Sequence, residues 1–251
     1  MLVRLREAVG RPPLFFIPAG HGDLDFFRKT AGLLDGRQPV CALRPPEPEH
    51  VEGLRSKTLD WLISLYVDEI KRVQPAGPYH MSGYSCGGTL AVETARELIR
   101  RGDGIALLVV LDPPLHVALW FRLFHASLYK LCNLNRWTDM IRLKMIRRWN
   151  FRALRLVSDE GIATHVALLG THEVAPYPGP ITCIRPRKSW IDWVNLTSIG
   201  NSWHKVARGG LDVHWIPGRH DAMLRGKQAE MVAGVLRDCL KREPARRSMQ
   251  Q

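Results

Sequence analysis

A serine within a run of small residues is the strongest chemical feature of this chain. The run Gly83-Tyr84-Ser85-Cys86-Gly87-Gly88 contains the spacing G-x-S-x-G, and it lies between a strand-like segment (78–82) and a helical pattern (89–101). In that context the spacing predicts a nucleophile elbow, a strained turn that presents a serine hydroxyl at the end of a strand. We therefore expect Ser85 to be a nucleophile. The helical pattern also puts Glu93 among the residues that face solvent.

A serine nucleophile needs a base, and His220 is the best of the ten histidines. It follows the last strand-like run through Pro217-Gly218-Arg219, a turn that predicts a loop at the sheet edge where the elbow also points. His21, near the first strand-like run, is the second choice. His80 and His214 lie within strand-like runs, and we expect structural roles for both.

Two acids compete for the role of orienting the base. Asp112 ends the apolar run 107–111, beside the elbow strand, and two prolines fix the chain directly after it. Asp192 follows a later strand-like run and precedes His220 by 28 residues. In α/β hydrolases the catalytic residues occur in the chain order serine, acid, histidine, and both acids satisfy that order. Asp112 is favoured, and Asp192 remains the alternative.

An oxyanion hole requires two backbone donors aimed at the developing negative charge. One is expected from the N–H of Cys86, the residue after the nucleophile. The other is expected from Ala19, in the glycine-containing loop after the first strand-like run.

Strand-like and helical segments alternate along the chain, which favours an α/β fold with a mostly parallel sheet and helices on both faces. Together with the nucleophile elbow, this alternation predicts an α/β-hydrolase fold. The predicted strands are 14–17, 39–43, 79–82, 105–111, 181–184 and 211–216, and the predicted helices are 26–34, 56–73, 89–101 and 222–240. The last helix is expected to turn Met231 and Leu236 inward. Residues 115–169 lack a strand pattern and are expected to form an inserted helical lid.

The length of 251 residues, 45% of them apolar, suits a single domain spanning residues 1–251 with that lid. No apolar run is long enough for a membrane span, and the first residues lack the apolar core of a secretory signal. We therefore expect a cytoplasmic protein without stable membrane insertion. Five widely spaced cysteines, with no C-x-x-C pair, indicate neither a disulfide framework nor a metal site. The initial Met1 and a basic tail favour a free-standing chain.

The net charge of +12 is concentrated in the lid. Residues 115–157 contain nine lysines and arginines against one acid, Asp139. Such a local excess indicates a partner surface more than it indicates a fold. Nucleic acid is a weak candidate for that partner, because no nucleic-acid-binding motif accompanies the charge.

An ordered set of motifs resembles the thioesterase domains of nonribosomal peptide and polyketide synthases. The segments that carry the resemblance are 14–20, 74–79, 83–88 with Ala91 and Glu93, 111–112, 177–182 and 217–224. The resemblance implies that an acyl or peptidyl chain passes from the phosphopantetheine thiol of a carrier protein to Ser85, with His220 as the base. It implies Asp112 as the acid, although some editing thioesterases of the family carry the acid near Asp192. No cofactor or metal of the chain's own is implied.

The resemblance also implies that the basic lid binds a carrier protein. Acyl carrier proteins are acidic, so Arg142, Arg147 and Arg148 are expected to attract the carrier and the phosphate of its phosphopantetheine. A free-acting carboxylesterase or lipase is an alternative, since Trp120, Phe121 and Phe124 would suit a helix that opens on a lipid surface. A binding module that has lost activity is a further alternative.

Overall fold

Seven strands form one sheet in the computed structural model, which describes residues 1–19, 24–44, 46, 58–114, 169, 172–189 and 203–248. The strands are β1 (Leu2–Arg6), β2 (Leu14–Ile17), β3 (Val40–Leu43), β4 (Tyr79–Tyr84), β5 (Ile105–Leu111), β6 (Ile181–Lys188) and β7 (Leu211–Arg219). Their spatial order is β1-β3-β2-β4-β5-β6-β7. Every neighbouring pair is parallel except β1 and β3.

Helices cover both faces of this sheet because the strands are apolar on both sides. The helices are α1 (Asp25–Gly32), α2 (Leu59–Val73), α3 (Cys86–Arg100), α4 (Trp203–Val206) and α5 (Gly226–Ser248). Alternate residues of β2 divide between the two faces. Phe15 and Ile17 pack in one buried cluster with residues of α2 and α3, whereas Leu14 and Phe16 pack in another with residues of α1 and α5. The α/β-hydrolase architecture predicted from the sequence is confirmed.

The six predicted strands are all present, and β2 and β5 have the predicted bounds. The sequence reasoning missed β1, which pairs with β3 at the edge of the sheet. Its apolar and arginine residues alternate, and this is the pattern of a half-buried strand. The proposed lid, residues 115–169, lies almost entirely outside the described residues.

Three details of the helix predictions are wrong. Glu93 of α3 is 7% exposed, not solvent-facing, and its carboxylate lies 2.6 Å from Arg96 and 2.9 Å from His172. A histidine about 80 residues further along the chain could not be anticipated from helical periodicity. The last helix begins at Gly226 rather than residue 222. Its Met231 is exposed, while Leu236 is buried as predicted.

The expectations about the cysteines and about membrane spans can be compared with the residues that the structure describes. Cys41, Cys86, Cys183 and Cys239 are free thiols there, and Cys41 and Cys183 are core residues, as the apolar runs around them predict. In the described part of the chain, no helix combines the length and apolar character that a membrane span requires.

Candidate active site

The predicted site residues follow the carboxyl ends of parallel strands. Ala19 lies two residues beyond β2, Ser85 directly after β4, Asp112 directly after β5 and His220 directly after β7. Because parallel strands all end at the same edge of a sheet, these four residues share that edge, which is where open α/β sheets bind their ligands. The topology thus brings the nucleophile, acid and base of the sequence prediction to one side of the molecule.

Ser85 occupies a strained turn. Its φ is 55° and its ψ is −130°, and Ser85 and Asp112 are the non-glycine residues with positive φ in the described part of the chain. Tight packing around the turn requires glycine at two positions. A Cβ atom at Gly83 would overlap the backbone of Gly87, and one at Gly87 would overlap the carbonyl oxygens that end β2. Strain of this kind is characteristic of functional residues and confirms the elbow geometry that the G-x-S-x-G spacing predicts.

The segment after Asp112 is fixed by two side chains. Thr89 Oγ1, in the first turns of α3, donates to the carbonyl of Pro114 over 2.7 Å. Trp203 Nε1, in α4, donates to the carbonyl of Pro113 over 3.0 Å. Asp112 itself has a φ of 42°, and its side chain is completely buried. These two hydrogen bonds fix the backbone directly after the acid.

Asp112 and His220 form a direct hydrogen bond. The Nδ1 atom of His220 lies 2.8 Å from Oδ2 of Asp112, and both side chains are buried. An ionised carboxylate can only accept, so Nδ1 carries the proton and donates. That tautomer makes Nε2 the nitrogen able to accept a proton from a serine. The hydrogen bond therefore orients His220 in the way that the predicted triad requires.

Two further donors reach the same carboxylate, and the sequence reasoning missed both. Ser189 Oγ donates to Oδ2 of Asp112 over 2.5 Å, and Arg185 Nε donates to Oδ1 over 3.3 Å. Arg185 belongs to β6, the neighbour of β5, and Ser189 directly follows β6. The order of the strands, which the sequence does not state, is what places these two residues beside the acid.

Tyr84, the residue before the proposed nucleophile, contacts His220 twice. Its ring stacks on the imidazole with a centroid distance of 4.9 Å, and its hydroxyl donates to the backbone carbonyl of His220 over 2.6 Å. Burial raises the pKa of the Tyr84 hydroxyl far above its ordinary value, so the hydroxyl stays protonated and can donate. Tyr84 thus links the elbow to the loop that carries the base.

We expect Tyr84→Phe to loosen that link while keeping the stacked ring. The substitution leaves the buried carbonyl of His220 without its phenolic donor, which costs about 1–2 kcal/mol of the free energy of unfolding. Denaturant titration measures this loss. A several-fold fall in kcat should accompany it, because the base is then less firmly placed. Unchanged stability together with unchanged kcat would contradict this role of Tyr84.

Some of the other predicted site residues lie in the part of the chain that the structure describes, and some lie outside it. Ala19 is buried beyond β2, and Cys86 is the buried first residue of α3; their role in an oxyanion hole stays a prediction. His80 lies buried in β4, 3.4 Å from Glu243, and His214 lies in β7, 3.1 Å from Asp212. His21, Asp192, Arg142, Arg147 and Arg148 lie outside the described residues.

The fold and the arrangement at the sheet edge define an α/β hydrolase. Within that class, the chain belongs to the thioesterase domain family, whose model it matches over residues 12–240. A known structure of the same fold is the thioesterase domain of NocB in covalent complex with a fluorophosphonate nocardicin G analogue. It has a TM-score of 0.69 and 19% identity, covering 96% of this chain and 99% of that one.

Characterised relatives align with about half of this chain and with a small part of their own length. An atromentin synthetase from Serpula lacrymans is 33% identical over 117 residues, which are 47% of this chain and 12% of the synthetase. A microperfuranone synthase from Emericella nidulans is 36% identical over 132 residues, which are 53% of this chain and 13% of the synthase. Family membership implies a hydrolase of the thioesterase type, of the kind found in polyketide and nonribosomal peptide synthases.

Proposed function

We propose that this chain releases an acyl, peptidyl or polyketide chain from the phosphopantetheine thioester of a carrier protein, through an acyl-enzyme on Ser85. The observation that carries the proposal is the hydrogen bond between buried Asp112 and His220, formed at the edge of the sheet where the strained turn of Ser85 lies. The names of the relatives, which are synthases and synthetases, support the choice of substrate class.

The first half of the proposed reaction acylates the serine. Ser85 Oγ attacks the thioester carbonyl while Nε2 of His220 takes the hydroxyl proton. The resulting oxyanion is stabilised by the backbone N–H groups of Cys86 and Ala19. When the carbon–sulfur bond breaks, His220 returns the proton to the departing thiolate. The products are the free phosphopantetheine thiol and an ester on Ser85.

The second half releases the chain. His220, again neutral, removes a proton from water or from a nucleophile within the acyl chain, and that nucleophile attacks the ester carbonyl. Collapse of the second tetrahedral intermediate returns the proton to Ser85 Oγ. Water yields the carboxylic acid, whereas an internal nucleophile yields a ring. Both outcomes use the same residues of this chain.

The carrier is expected to be recognised through the basic lid that contains Arg142, Arg147 and Arg148. Attraction between exposed charges is screened over about 8–10 Å at ordinary ionic strength. The kcat/KM for an acyl group loaded on an acidic carrier protein should therefore fall as salt rises. The same acyl group on N-acetylcysteamine, a small uncharged thiol, should be nearly indifferent to salt. Product release is followed by mass spectrometry over a salt series.

A charge-reversal variant separates recognition from catalysis. Replacing Arg142, Arg147 and Arg148 by glutamate should lower kcat/KM for the carrier substrate and leave the N-acetylcysteamine thioester unaffected. Equal losses on both substrates would show that the lid was misplaced rather than that its charge was used. Activity that rises on lipid micelles, with no preference for a carrier, would instead support a lipase.

A further inference from the structure

The acid of the proposed triad has a cation bonded to it. Asp112 is completely buried, and its two carboxylate oxygens accept hydrogen bonds from different residues. Oδ2 accepts from His220 and from Ser189, whereas Oδ1 accepts from Arg185. A carboxylate buried this deeply needs such partners, because burial alone would favour its neutral form.

Arg185 also contacts an aromatic ring. Its guanidinium carbon lies 5.4 Å from the ring centroid of Trp215, the residue directly opposite it on β7. Its side chain is 19% exposed, so the charge is largely withdrawn from water. A partly buried cation interacts with a buried carboxylate more strongly than an exposed cation does.

We propose that Arg185 is a positioning residue that acts through Asp112 to set the pH range in which His220 works as a base. This inference rests on the proposed function. The positive charge of Arg185 partly offsets the attraction between the Asp112 carboxylate and a protonated imidazole. Without Arg185, imidazolium would form more readily, and the acid limb of the pH–rate profile would move to higher pH. Ser189 bonds to the same carboxylate but carries no charge, so its effect on the acid limb should be smaller than that of Arg185.

Among the described residues, Tyr84, Asp221, Arg219 and Arg225 also lie near the acid or the base. Tyr84 stacks on His220, and its buried hydroxyl stays neutral. Asp221 is largely exposed and lies 3.4 Å from Arg219, and Arg225 lies over the ring of Phe26 at 4.0 Å. These charges are the same in every variant compared below. A shift of the acid limb therefore reports the charge at position 185.

The test uses the rate at which a fluorophosphonate labels Ser85, measured as a function of pH by intact-protein mass spectrometry. This rate depends on the nucleophile and its base but not on the natural acyl substrate. We expect Arg185→Gln to move the acid limb upward by about half a pH unit or more. Arg185→Lys, which retains the charge, should leave the limb near its wild-type position. Ser189→Ala should slow labelling at every pH and move the limb less than Arg185→Gln does.

Arg185→Met serves as a second neutral variant if Arg185→Gln does not fold, since its unbranched chain can still pack on Trp215. An unmoved acid limb in the folded neutral variant would overturn the inference, as would equal shifts in the lysine and neutral variants. Asp112→Asn is measured in parallel. Wild-type labelling by Asp112→Asn would mean that the proposed acid is wrong. Slow labelling by Asp112→Asn with an unmoved limb in the neutral variants would mean that only the role of Arg185 is wrong.

Discussion

Ser85→Ala is expected to lower kcat by about 10³-fold or more, because only binding and the oxyanion hole then remain to accelerate the reaction. The loss should appear in kcat rather than in KM, since the hydroxyl acts in the chemical step. The variant should also fail to react with a fluorophosphonate. Rates on an N-acetylcysteamine thioester and the mass of the labelled protein measure the two effects. Labelling of any other residue in the wild-type protein would remove the basis of the mechanism.

Ser82 provides a matched control for this experiment. It lies in β4, three residues before Ser85, and it is completely buried. Among the residues that the structure describes, its hydroxyl has no hydrogen-bond partner. Ser82→Ala should therefore keep near-wild-type kcat and full labelling, with little loss of stability. A fall in kcat as large as that of Ser85→Ala would show that the elbow strand tolerates no change. The effect of Ser85→Ala would then not identify Ser85 as the nucleophile.

The sequence predicts those parts of the fold that depend on residues close together in the chain. Strand β5, whose seven residues are all apolar, and the glycines around Ser85 carry their own signals. The elbow is predicted from these signals together, because the tight turn around its serine needs small residues on both sides. Asp112 and His220 could be predicted because each directly follows a readable strand. Strand β1 was missed although its apolar and arginine residues alternate, because it lacks the continuous apolar run of β2, β3 and β5.

The parts that could not be predicted depend on contacts between segments far apart in the chain. Arg185 and Ser189 reach Asp112 across 73 and 77 positions, and Tyr84 reaches His220 across 136. No spacing rule encodes such contacts, because they arise from the order of strands in the sheet. The burial of Glu93 has the same origin, since one of its partners is His172. The sequence thus predicts which residues could react, and the sheet order determines which side chains support them.

Asp112→Asn is expected to lower kcat by about 10³–10⁴-fold, while Asp192→Asn retains most of the activity. The asparagine keeps the shape of the side chain, but it presents a donor or a weaker acceptor to Nδ1 of His220 and thus favours the wrong tautomer. The measurement is kcat on an N-acetylcysteamine thioester, with circular dichroism to confirm folding. The 2.8 Å bond between His220 and Asp112 is the reason for choosing the earlier acid. The opposite result, with Asp192→Asn inactive and Asp112→Asn active, would move the acid to the later position.

Asp221 is the matched control, because it adjoins His220 in the chain but is 68% exposed beside Arg219. Asp221→Asn should change kcat by no more than about twofold, as expected for an exposed ion pair. Combining Asp112→Asn with Ser85→Ala gives a further test. If serine, histidine and acid act as a unit, the double variant should be hardly slower than Ser85→Ala alone. Losses that multiply would mean that Asp112 stabilises the protein or its substrate complex independently of the serine, and the carboxylate would then not belong to the triad.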